Sequence, residues 1–244
     1  MELAVRTEGS GPRLVLVHGG VGPELSWERQ LPLAERWTLV IPWRRGYGES
    51  PPAERQDFEA DAEDLDALVE PGDRLVAFSY GGLSAAIVAG RRAEELDSLV
   101  LIEPPLFALG PDDPLISPMM ELSARFTSGE TEDDPEAHWR FLTMAGVKRP
   151  RDAADARRIE RLTRLALHLR APVEARPDLA AVRTAGVPVL SVSGEHNPAI
   201  ERICDLITER AGGERLRLPG AGHPVQRVPG FNERLEEFLV RPRR

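Results

Sequence analysis

Arg74-Leu75-Val76-Ala77-Phe78-Ser79-Tyr80-Gly81-Gly82-Leu83-Ser84-Ala85-Ala86-Ile87-Val88-Ala89 is the stretch that decides the fold of this chain. It begins as a short apolar run of the length and type of a buried strand. It ends as a run of small residues that suits a helix packed closely on a sheet. Between the two stands Ser79, with Ala77 two residues before it and Gly81 two residues after. Small flanking residues let a tight strand-to-helix turn close without side-chain collision, and a serine on such a turn is held in strained backbone geometry. The turn exposes the hydroxyl. It also puts the next backbone N–H at a helix N-terminus, where it can stabilise a developing oxyanion. An ordinary turn serine or helix cap shares this local pattern, so the rest of the chain has to decide.

The stretch resembles the nucleophile elbow of the α/β-hydrolase superfamily, G-x-S-x-G, with Ala77 in place of the first glycine. Upstream, the buried strand Leu14-Val15-Leu16-Val17 runs into His18-Gly19-Gly20-Val21-Gly22-Pro23. In the resembled family, H-G-G-type loops supply the other half of the oxyanion hole. The resemblance therefore implies Gly20 as one N–H donor, with Val21 next, and Tyr80 as the other. His18 is read as structural. Pro42-Trp43-Arg44-Arg45-Gly46-Tyr47-Gly48-Glu49-Ser50 is similar to the family's D-x-R-G-x-G-x-S loop, with Trp43 where aspartate usually stands. Packing and pocket-lining roles are both open for Trp43.

The remaining chain fits an α/β layout: a mostly parallel central sheet with flanking helices, the α/β-hydrolase fold. Leu3 and Val5 suggest an edge strand, and Trp27–Ala34 a short helix. Trp37–Ile41 reads as a strand and Asp57–Glu70 as a helix whose acidic residues form a solvated face. Leu99–Ile102 is a strand that ends in Glu103-Pro104-Pro105; the prolines stop further pairing and leave Glu103 at the strand's C-terminal edge. Ligands bind at that edge in open parallel sheets. From about Leu106 to Thr184 the alternation stops, and helical patterns appear at Pro114–Thr127, Pro135–Ala145 and Arg151–Leu169. This insertion resembles the helical cap of many α/β-hydrolases. Residues 1–105 and 185–244 are then the core and 106–184 the cap. Met119, Met120, Phe126, Trp139, Phe141 and Met144 give the cap apolar surface for its own core and for an apolar pocket. Strands resume at Val187–Ser193 and Leu216–Leu218, with helices at Ala199–Arg210 and at the C-terminus around Phe231, Leu235, Phe238 and Leu239.

Pro219-Gly220-Ala221-Gly222-His223-Pro224 resembles the family's catalytic histidine loop. A serine hydroxyl needs a base within hydrogen-bond reach, and the base needs an acceptor to fix its tautomer. Ser79 and His223 fit the first two roles, in the family's order of serine, acid, histidine. The customary acid position, in a G-x-x-D pattern after the penultimate strand, holds Asn197. Glu103 matches the alternative acid position of some members, and Glu195 is a further carboxylate nearby. Glu103 is the choice here, with Asn197 as an orienting residue next. His138, His168 and His196 sit in no comparable context and lack the spacing of a metal site.

Composition bounds the function. The 244 residues suffice for one domain with an insertion, and the net charge of −9 argues against a nucleic-acid surface. Lys148 is the only lysine and Cys204 the only cysteine, which excludes an internal disulfide and a cysteine metal cluster. The N-terminus lacks a signal-peptide layout and no run is apolar enough to span a bilayer, so a cytoplasmic location is expected. The expected partner is a small molecule with an apolar part, not nucleic acid or membrane. No cofactor and no metal are implied, and oligomeric state is open. The reading is a serine hydrolase of a small to medium carboxylic ester, thioester or lactone. The alternative is a non-hydrolytic protein of the same fold: a ligand-binding protein, or a lyase or cyclase of secondary metabolism.

Overall fold

The computed structural model describes residues 2–130, 134–144, 148–157, 169–241 and 243. Among these residues seven strands form one sheet: β1 (Val5–Glu8), β2 (Arg13–Val17), β3 (Thr38–Pro42), β4 (Arg74–Phe78), β5 (Ser98–Ile102), β6 (Val189–Ser193) and β7 (Glu214–Arg217). Their order is β1-β3-β2-β4-β5-β6-β7. Only β1 is antiparallel; it pairs with β3, Val5 opposite Pro42. The other neighbours run parallel, with Leu75 opposite Val15 and Leu99.

The apolar runs are continuous because both faces of the sheet are covered. Val15, Val17, Leu75, Ala77, Leu99 and Leu101 point to one face. There they meet α2 (Phe58–Leu68), α3 (Gly81–Arg91), α6 (Leu179–Thr184) and α7 (Pro198–Ala211). Leu14, Leu16, Val76, Phe78, Val100 and Ile102 point to the other, against Trp27 of α1 (Pro23–Trp27) and Phe231 and Leu235 of α8 (Phe231–Leu239). Cys204 is fully buried on α7, as a small core residue.

Two local expectations change. The helix expected over Trp27–Ala34 is instead α1 followed by a 3₁₀ segment, Glu28–Glu35, with Pro32 inside it. Proline removes a donor and crowds the preceding turn, which disfavours α geometry there. On α2 the acidic residues are not all solvated. Asp61 faces inward and is buried, because Arg44 is buried opposite it.

Between β5 and β6 the described residues add no strand to the sheet. They contain α4 (Ser117–Thr127) and α5 (Pro135–Met144) before α6. Met119 of α4 joins the main core. Leu122, Phe126 and Leu142 form a separate small cluster with Trp139 against it. Most of the helix expected at Arg151–Leu169 lies outside the described residues, as do His168 and the side chains of His138, Phe141 and Met144. No helix among the described residues is long and apolar enough to cross a membrane.

Candidate active site

Parallel strands all end on the same edge of the sheet, and the residues singled out above follow those ends. Ser79 comes directly after β4. It adopts a left-handed backbone, φ 53°, and its N–H donates to Ile102 O at 2.8 Å. The chain then reverses into α3 at Gly81. A β-carbon on Gly81 would stand 2.3 Å from His18 O, and one on Gly19 would stand 2.8 Å from Ser79 Cβ. The loops after β2 and β4 therefore touch backbone to backbone, which only glycine allows.

His223 lies beyond β7, in a turn with positive φ at Gly220 and Gly222. That turn is pinned where Gly222 N–H donates to Gly194 O at 3.2 Å. The ring is carried back over the sheet edge. Its Nε2 is 3.0 Å from Ser79 Oγ, and its Nδ1 is 3.2 Å from Glu103 Oε2. Both neighbours are satisfied by the tautomer with the proton on Nδ1, which leaves Nε2 free to accept.

Glu103 follows β5, also left-handed at φ 54°, and is fully buried. Its Oε1 accepts Gly194 N–H at 2.7 Å. Burial by itself pushes the carboxyl pKa up; the facing imidazoles of His196 and His223 outweigh that and hold it below the ordinary glutamate value. The carboxylate stays charged beside the histidine.

Asn197 has a local task. It is the N-cap of α7, where its Oδ1 accepts Ala199 N–H at 2.9 Å, and its Nδ2 faces Met119 Sδ of α4 at 3.1 Å. Glu195 is exposed on the same loop. His196, which had no distinguishing context in the sequence, lies at the site itself: its Nδ1 is 3.3 Å from Glu103 Oε2. Its ring centroid is 5.5 Å from that of His223. The positive φ of Glu195, 55°, turns the chain there, and such a turn has no sequence signature in a non-glycine residue.

The loop after β2 is held from beneath. His18 is fully buried; its Nδ1 lies 2.8 Å from Val21 O, and its Nε2 accepts Arg44 N–H at 3.0 Å. Burial, then the Arg44 charge, keep this imidazole neutral, with a pKa well below the ordinary histidine value. Arg44 donates from Nη2 to Gly19 O at 2.6 Å and from Nη1 to Asp61 at 2.6 Å. Gly19 C=O and Gly20 N–H share one trans peptide, so a fixed carbonyl aims the N–H the opposite way. Tyr47 Oη similarly donates to Gly20 O at 2.8 Å. Trp43 packs over Gly48 and donates to Glu24 at 2.8 Å.

The arrangement suits nucleophilic acyl transfer: a strained hydroxyl, an imidazole within hydrogen-bond reach, a buried carboxylate behind it, and two glycine-lined backbone turns beside it. A model of the alpha/beta hydrolase family matches residues 14–236. The pimeloyl-[acyl-carrier protein] methyl ester esterase of Aeromonas hydrophila subsp. hydrophila is 27% identical over 262 residues, covering 98% of this chain and 100% of that protein. The esterase of the same name from Klebsiella pneumoniae subsp. pneumoniae is 32% identical over 159 residues, covering 64% of this chain and 61% of that one. Among solved structures, bromoperoxidase from Bacillus anthracis matches with a TM-score of 0.71 at 21% identity, over 97% of this chain and 95% of that chain. At that identity the likeness is one of fold.

Proposed function

The chain belongs to the alpha/beta hydrolase family, and from that premise we propose that it is a serine hydrolase of carboxylic esters, working through an acyl-enzyme on Ser79. The observation that carries this reading is the unbroken relay from Ser79 Oγ through His223 to Glu103, at 3.0 Å and 3.2 Å.

His223 Nε2 takes the proton as Ser79 Oγ attacks the ester carbonyl. Glu103 holds the Nδ1 proton and offsets the charge of the imidazolium with its own. The N–H groups of Gly20 and Tyr80 hold the oxyanion, with the Gly20 peptide oriented by Arg44. His223 then protonates the departing alcohol. Water deprotonated by the same imidazole releases the acid and restores Ser79.

Residues 106–184 act as a cap over the residues 1–105 and 185–244 core. Support comes from the separate cluster of Leu122, Phe126 and Leu142 and from the Met119 contact with Asn197. The acyl part would lie between cap and core, against apolar cap side chains. The relatives' name carries over the bond type, an ester of a carboxylic acid with a small alcohol; thioesters and lactones react by the same steps. A non-hydrolytic role drew its motive from Asn197, and the capping of α7 gives that residue an independent reason to be there.

The test is intact mass after a fluorophosphonate probe, followed by a panel of methyl and aryl esters of graded acyl length. One adduct per chain is expected, absent in Ser79→Ala and strongly slowed in His223→Ala. A folded wild-type protein that takes no adduct and turns over no ester would sink the proposal.

A further inference from the structure

One oxygen of Glu103 serves two imidazoles. His223 Nδ1 is 3.2 Å and His196 Nδ1 is 3.3 Å from Oε2. One donor atom from each of Glu103, His196 and His223 lies within 4.8 Å of the others. A tetrahedral zinc ion with bonds of about 2.0–2.1 Å separates its ligand atoms by about 3.3 Å. Two edges of such a tetrahedron are thus already present, and the imidazoles have to draw together to form the third. Two imidazole nitrogens and one carboxylate oxygen form a recognised zinc donor set that leaves a fourth position for water. The second carboxylate oxygen is anchored by Gly194 N–H, the outer-shell support that fixes a ligating carboxylate. Both histidines keep part of their surface open, 18% for the His196 side chain and 14% for that of His223, while Glu103 has none. An ion therefore has an approach from solvent through the two imidazoles.

We propose that Glu103, His196 and His223 form a zinc site, and that filling it switches the enzyme off. Zinc takes the lone pair of His223 Nδ1. The proton that this nitrogen held moves, through water, to Nε2. An Nε2–H then faces Ser79 Oγ and donates where it previously accepted, so the base is lost. Glu103 is drawn to the metal and no longer offsets an imidazolium. His196 joins through Nδ1 with its own proton on Nε2. The inhibitory half of this proposal rests on His223 being the general base, as argued above; the binding half does not.

The experiment separates the two halves. Chelator-stripped Ser79→Ala protein, which cannot turn over substrate, is titrated with zinc chloride against a chromogenic zinc indicator. One zinc per chain is expected. Loss of one direct ligand in a Ser79→Ala/His196→Ala double variant should weaken it by at least about 10–100-fold, the range that even outer-shell changes produce. His196→Gln is the second variant should the alanine fail to fold, with circular dichroism as the check. Anomalous scattering from zinc-soaked crystals locates the ion independently of any variant. In parallel, zinc should slow fluorophosphonate labelling of Ser79 in the wild type. In His196→Ala, read against its own zinc-free rate, the same slowing should need at least about tenfold more zinc. Equal zinc affinity with and without His196, or an anomalous peak elsewhere, overturns the site. Stoichiometric zinc at Glu103 with undiminished labelling overturns the switch. A wild type that never labels, even without zinc, defeats the hydrolase reading and leaves the titration to decide the site.

Discussion

Ser79 and Glu103 are twins in the fold. Phe78 and Ile102 are register partners on β4 and β5, and each is followed at once by a non-glycine residue in the left-handed region, Ser79 at φ 53° and Glu103 at φ 54°. Ser79 N–H donates to Ile102 O, so the ladder continues one bond past the last β4 residue. Both chains then break away together. Each such residue costs roughly 1–2 kcal/mol of backbone strain, which the covered sheet beneath sustains. Ser79 and Glu103, the proposed nucleophile and acid, are therefore set by the same device after adjacent strands, and His223 is laid across them.

If Glu103 is the acid, Glu103→Gln should lower kcat by about three to four orders of magnitude, as loss of a triad carboxylate does. Asn197→Ala should lower kcat only a few-fold, yet lose about 1 kcal/mol of stability as a removed helix cap. Steady-state kinetics with urea unfolding of both variants checks this. The reverse pattern would transfer the role to Asn197.

Gly19→Ala places a β-carbon 2.8 Å from Ser79 Cβ. The two loops must part, and the proposed oxyanion donor, Gly20 N–H, moves away from the hydroxyl. A misplacement of about 1 Å is worth about 100-fold in kcat/KM. Fluorophosphonate labelling should slow with it, and a normal labelling rate would show that the approach is not needed.

Arg44→Met leaves Asp61 buried without its charge partner, a loss of about 3–5 kcal/mol. It also frees the Gly19 carbonyl. Arg44→Met/Asp61→Asn should recover part of the stability but little of the kcat, because the carbonyl stays unheld. Recovery of both together in thermal melts and kinetics would reduce Arg44 to a purely structural residue.

The neutral, buried His18 makes stability depend on pH. Its folded pKa is depressed, so below the unfolded value of about 6.5 the unfolded chain binds a proton that the folded chain does not. Stability from this residue is complete above that value. It falls as pH drops, by up to about 1.4 kcal/mol per pH unit, until the folded pKa is reached. Urea unfolding from pH 7 to 5 should show His18→Gln flatter than wild type by about one proton. Glu103 also has a depressed folded pKa, but as an acid it acts lower. Its contribution is full above about 4.3 and is lost as pH falls through its folded value. A His18→Gln curve parallel to wild type would refute the assignment.

Much of this site was readable from sequence because its determinants are local. The β4 strand, Ser79 and the small residues of α3 are contiguous, and the glycines before His223 mark their own turn. The position of Glu103 at the sheet edge was readable because two prolines end its strand. The parts that escaped are long-range. Asp61 belongs to an acidic helix face, and only the fold brings Arg44 onto it from 17 residues away. His196 is one residue from Asn197, and it is His196 that faces Glu103, in a loop that turns at the positive φ of Glu195. The substitution of asparagine at the customary acid position was visible; that it caps α7 was visible only in the backbone.

The placement of Glu103 directly after β5 has a practical consequence. Ser79 and Glu103, the proposed nucleophile and acid, lie within one continuous stretch, Arg74 to Glu103, while His223, the proposed base, arrives from the far side of residues 106–184. A chain cut within that segment carries Ser79 and Glu103 on one piece and His223 on the other. Neither piece holds a complete relay. Ester turnover from two such fragments, each fused to one of two interacting proteins, would act as a reassembly reporter whose background is set by how weakly β5 and β6 find each other unaided.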